Sequence, residues 1–108
     1  MTRSEWEERR IEARKRWEAF LGMPPERCAL EAVTLKSERV GGIVREKVRY
    51  EVHAGCFVEA YVLRPQKVEG QLPGAAVFHQ TDDCTIDEPA GLAGPADLHI
   101  GLHLAILP

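Results

Sequence analysis

Four histidines, three cysteines and an acidic cluster are the residues of this 108-residue chain that could do chemistry. His99 and His103 stand four apart in a segment with helical rhythm, so both imidazoles can share one helix face. His79, Asp82, Asp83 or Cys84 could then complete a tetrahedral metal site. The spacing does not bear this out. No Glu follows the first His as a zinc-protease helix requires, and the histidines are read as hydrogen-bonding to loop backbone or facing water. Asp82, Asp83, Asp87 and Glu88 lack the glycine and terminal Glu of a calcium loop, which leaves a solvated acidic loop. Cys28, Cys56 and Cys84 form no CxxC pair and are odd in number, so reduced, buried thiols are expected, with no disulfide framework. No metal ligand and no cofactor is assigned. Nucleophilic catalysis needs a hydroxyl or thiol beside a base, yet the only serines, Ser4 and Ser37, sit in a helix and a strand.

The elements that position these residues follow from hydrophobic period and chain breakers. Residues 1–22 read as a leading helix. Ser4 caps it with Glu7 three residues on, Trp6, Ala13, Trp17, Phe20 and Leu21 recur at about helical spacing, and Gly22 with Pro24 and Pro25 stops it. Arginines and glutamates are interleaved along this helix, the mark of a solvated, ion-paired surface that packs its tryptophans on the sheet or a partner. Residues 29–64 read as an antiparallel meander of three strands, turned at Gly41-Gly42 and near Gly55. Arg45, Lys47, Arg49 and Glu51 alternate with Val44, Val48, Tyr50 and Val52, and the charged side is expected to face solvent. Residues 74–79 form a short, continuously apolar run that predicts a further strand buried on both faces. Residues 80–95 are an irregular loop, and residues 96–107 return to a helical pattern.

The fold class is therefore α/β, in a single domain. Composition agrees with one small globular unit, 44% hydrophobic and 29% charged. Seventeen acidic against fourteen basic residues, a net charge of −3, supply no basic field and argue against nucleic acid as a partner. The leading helix is no signal peptide, and no apolar run is long enough to span a bilayer, so a cytoplasmic chain with no membrane partner is expected.

Three stretches resemble a known family. They are residues 47–51 running into Val58-Glu59-Ala60-Tyr61-Val62-Leu63-Arg64-Pro65, then Leu72-Pro73-Gly74-Ala75-Ala76-Val77-Phe78-His79-Gln80-Thr81, then Asp87-Glu88-Pro89-Ala90-Gly91-Leu92 followed by Leu98-His99 and Leu102-His103-Leu104-Ala105. In this order they resemble the N-terminal portion of an α/β-hydrolase of the dienelactone-hydrolase and acetyl-xylan-esterase-like branch, from about Trp6 to Ala105. The resemblance implies that residues 1–108 are a single incomplete domain of a carboxylic ester hydrolase whose nucleophile elbow, acid and histidine follow the matched portion, with an ester substrate for the full-length parent only. Within the matched portion it implies one functional element, a backbone N–H of the oxyanion hole at Thr81 or, as second choice, Gln80. The alternative reading is a non-enzymatic interaction module that retained the scaffold. Either way, a strand and a helix without their usual neighbours leave apolar surface uncovered, and self-association is expected.

Overall fold

The computed structural model describes residues 1–107. It has a mixed α/β architecture: helix α1 (Arg3–Leu21), strands β1 (Val33–Val40), β2 (Ile43–His53) and β3 (Cys56–Pro65), and helix α2 (Ile100–Ile106). Two single-turn 3₁₀ helices, Thr85–Asp87 and Ala96–Leu98, interrupt the segment between β3 and α2.

The three strands form one antiparallel sheet in the order β1-β2-β3. Gly41 and Gly42 join β1 to β2 with φ of +53° and +87°, the left-handed pair that a two-residue turn between right-twisted strands demands. The register places Ile43, Arg45 and Lys47 opposite Pro65, Leu63 and Tyr61, and Val44, Val48 and Tyr50 opposite Arg64, Ala60 and Val58. Because side chains alternate, these two sets occupy opposite faces of the sheet.

The covered face is the one that carries the charges. The loop after residue 80 and α2 pack over its Gly41-Gly42 end, where Ile43 is 1% and Arg45 6% exposed. Ile43, Pro89 and Ala90 are buried on this side, and Val44 is buried on the other face at the same end of the sheet. The opposite face keeps Val58 and Val62 at 36% and 44% exposure. The expectation of a solvated charged face and an interior apolar face is thus inverted for Arg45. Its charge is tolerated inside because every donor direction used meets an acceptor, as described below.

Three boundaries differ from the sequence reading. The N-cap of α1 is Thr2, which exchanges hydrogen bonds with Glu5 in a capping box, so the Thr-x-x-Glu pattern two residues upstream displaces Ser4-x-x-Glu7. Residues 74–79 form no strand. A ladder needs a neighbour, the far edge of β3 stays separated from this run by an open cleft, and Phe78 is left 87% exposed. The last helix is shorter than residues 96–107: at His99 the backbone leaves helical geometry (φ −74°, ψ 52°), dividing the segment into a 3₁₀ turn and α2. Among the described residues no helix is long and apolar enough to cross a membrane.

Candidate functional site

The best-defined polar site is where the sheet holds the loop between Gln80 and Pro95. Arg45 projects from the middle of the sheet under the turn formed by Glu88, Pro89, Ala90 and Gly91. Its Nη1 donates to the Ala90 carbonyl at 2.8 Å and, more weakly, to the Gly91 carbonyl at 3.5 Å, while Nε donates to Glu38 Oε1 at 2.9 Å. That bond from Arg45 holds the Glu38 carboxyl below its ordinary range, helped by Lys36. Two rungs along β3, the Tyr61 hydroxyl donates to Asp87 Oδ1 at 3.0 Å. Burial, then the Asp87 carboxylate, push the Tyr61 phenol above its usual value. Lys47 beside them pairs with Glu59 at 2.8 Å.

The turn is tightened from within. Gly91 N–H donates to the Glu88 carbonyl at 3.0 Å and Leu92 N–H to the Asp87 carbonyl at 2.9 Å. Glu88 is 3% exposed, and its carboxylate accepts from the Gln80 side chain at 3.2 Å. Gly94 lies so close beneath that carboxylate that an added Cβ would stand 2.7 Å from Oε2. His99 Nε2–H donates to the Ala93 carbonyl at 2.9 Å, which places one histidine on loop backbone as its composition suggested.

The residues singled out for chemistry do not converge. His99 belongs to the break before α2 and is turned to the loop, whereas His103 is exposed in the helix, so the two do not form a shared ligand face. Asp82, Cys84 and Glu88 do gather, with ligand atoms within 4.8 Å of one another. Their atoms are already engaged in the turn: Asp82 Oδ1 accepts from the N–H groups of Cys84 and Thr85 at 2.8 and 3.2 Å, and Glu88 from Gln80. Partial burial, then the surrounding carboxylates, raise the Cys84 thiol above its ordinary value. Like Cys28 and Cys56 it is free and half-buried, not fully buried as expected, because each lies at the margin of the sheet or in the loop and not in the core.

Gln80 and Thr81, the oxyanion candidates, are exposed at the start of this loop. The Gln80 carbonyl accepts from Asp82 N–H at 3.0 Å. Ser4 lies in α1, and Ser37 on β1 opposite Glu46. His53 is seven rungs further along β2, about 24 Å away, so the Ser37 hydroxyl has no histidine base within reach there. A cleft of about 590 Å³ opens between β3, residues 72–77 and α2, lined by Leu63, Ala75, Val77, Ile86, Leu104 and Leu107. Neither Gln80 nor Thr81 lines it.

Arg45 and Tyr61 were not singled out for a site by the sequence reading, and Glu88 was read as part of a solvated acidic loop, whereas it is buried against Gln80 and Gly94. One signal for them was present: on β3 both parities are apolar, Phe57, Tyr61 and Leu63 on one and Val58 and Val62 on the other, a pattern of strands covered on both sides. Comparison with protein-family models, with curated proteins and with solved structures finds no match to this chain.

Proposed function

We propose that the chain is the oxyanion-side, N-terminal portion of a carboxylic ester hydrolase of the α/β-hydrolase type, with no turnover of its own. The observation that carries the reading is the anchored loop: the segment after the apolar run 74–79 is tied to the sheet by Arg45 at Ala90 and by Tyr61 at Asp87. An oxyanion donor stabilises a transition state only if its backbone is held still before charge develops. Thr81 and Gln80 stand at the entrance of that loop, the position at which the resembling family supplies such a donor. The donor alone leaves the reaction without a nucleophile and base, because no serine hydroxyl meets a histidine among the described residues.

Purified chain assayed with p-nitrophenyl acetate is expected to show only the background rate of free imidazole. Turnover above it that disappears in Ser37→Ala would refute the inactive reading. The family assignment is tested separately in the coding sequence after Pro108, where a Gly-x-Ser-x-Gly turn, then Asp, then His are expected in that order. If that order is missing, the interaction-module reading takes its place. That second reading is favoured by the half-exposed valines of the open sheet face, a surface suited to a protein partner.

A further inference from the structure

The chain exposes 9044 Å². A compact monomer of 12.1 kDa exposes about 6,000 Å². The radius of gyration is 18.0 Å, against about 13 Å for a compact chain of this length. The excess is on the order of 3,000 Å² per chain, so covering less than half of it on each of two copies would reach the lower end of obligate dimer interfaces, which bury about 2,000–5,000 Å² in total. Two surfaces account for much of it. The first is the sheet face on which Val58 and Val62 are exposed and Val48, Tyr50 and Ala60 half-buried, with Val44 buried at its Gly41-Gly42 end. The second is α1, which buries no residue and leaves Trp6, Trp17 and Phe20 at 46%, 61% and 80% exposure.

These two surfaces fit one another. Along α1, Trp6, Ala13, Trp17 and Phe20 fall within about 60° of arc, with Arg9 and Arg16 on one side and Arg10 and Arg14 on the other. A helix of nineteen residues is about 28 Å long, and the eleven residues of β2 extend about 36 Å, so the stripe matches the face in length. Arginine stems beside an aromatic stripe can lie over valines while their heads reach polar groups at the rim. The open face carries one carboxylate, Glu46, paired with Arg64 at 3.5 Å, and a second guanidinium, Arg39, opposite Val44.

We propose that two copies of this chain associate by laying α1 of each across the apolar sheet face of the other. The tether disfavours docking on the same chain. Cys28 Sγ donates to the Glu51 carbonyl at 3.6 Å and Glu51 N–H to the Leu30 carbonyl at 3.3 Å, which pins residues 28–30 to the edge of β2. A return onto the same sheet would have to reverse direction within residues 23–27, where Pro24 and Pro25 hold the backbone extended. The proposal does not rest on the hydrolase reading.

Trp6 and Trp17 are the only tryptophans in the chain, so intrinsic emission reports on α1 alone. On raising the concentration, light scattering should show the mass doubling from 12.1 kDa, with tryptophan emission shifting to the blue over the same range. Val62→Lys on the sheet face and Ala13→Glu on the helix stripe should each weaken the dimer at least about tenfold and leave the emission red, with far-ultraviolet circular dichroism unchanged. Ala13 lies on a helix that buries nothing, so its variant tests the idea even if Val62→Lys perturbs the sheet. A mass that stays at 12.1 kDa at every concentration, growth beyond two copies, doubling without the emission shift, or a concentration-independent blue-shifted monomer would each overturn it. So would doubling that survives Ala13→Glu.

Discussion

The two faces of the sheet put similar strands to opposite uses. One face carries Arg45, Lys47 and Tyr61 and is roofed by a loop that bonds to Arg45 and Tyr61, while Lys47 pairs with Glu59 on β3. The other carries valines and is roofed by nothing that buries Val58 or Val62. Polarity therefore does not decide which face turns inward here. Arg45 is buried because the loop arrives with two carbonyls and β1 with a carboxylate, and such charge-assisted bonds offset its desolvation. Among the described residues no element lies across Val58 and Val62 on the valine face. Buried polar groups fix where a loop sits, while an apolar face only specifies that something should cover it.

Four substitutions would break or sharpen that contrast. Arg45→Ala is expected to cost the most, about 3 kcal/mol, because the carbonyls of Ala90 and Gly91 stay covered without a donor. The urea midpoint measures it, and a loss within 0.5 kcal/mol, roughly the scatter of surface substitutions, would remove the distinction between the faces. Gly101→Ala comes next: its new Cβ would stand 2.8 Å from the Pro89 carbonyl oxygen and push α2 off the turn. Overpacking of about 2–3 kcal/mol, less about 1 kcal/mol gained in helix propensity, predicts a net loss of about 1–2 kcal/mol in thermal unfolding.

Tyr61→Phe should cost about 1 kcal/mol near neutral pH, the worth of one hydrogen bond. Its pH dependence is more telling. The folded phenol titrates above its ordinary value, so its contribution is complete below about pH 10 and is lost as pH rises through the raised folded value. Stability profiles of wild type and Tyr61→Phe should therefore converge at strongly alkaline pH, and parallel profiles would count against the bond to Asp87. The smallest effect belongs to the open face: Val62→Thr, measured in dilute solution, should change stability by less than about 0.5 kcal/mol. A larger loss would mean that the valine face is already covered.

Much of the secondary structure was legible in local chemistry. The Gly41-Gly42 and Gly55 turns, the three strands between them and the leading helix all follow from signals within a few residues, and the structure places them within a few residues of those signals. What failed depended on neighbours distant in the chain. The apolar run at 74–79 has strand composition, but a strand exists only with a hydrogen-bonding partner, and none lies along it. His99 and His103 have helical spacing, yet His99 is drawn to the Ala93 carbonyl and ends the helical path. Arg45 looked like any surface charge on an alternating strand, because its partners at 90 and 91 lie in a loop whose placement no local pattern encodes. Of the candidate site, Gln80 and Thr81 were legible only through the family resemblance.

The bond from Arg45 to Ala90 spans 45 residues, which carries a consequence for the order of folding. The β2–β3 hairpin closes over a two-residue turn, whereas the clamp must close a far longer loop, and each doubling of loop length adds about 0.6 kcal/mol of closure entropy. The hairpin should therefore form first and present the guanidinium as a waiting dock, with the Gln80–Pro95 loop and α2 arriving as one late cooperative unit. Native-state hydrogen exchange would then find the amides of Gly91, Leu92 and Leu102 opening together, at lower free energy than those in the middle of β2.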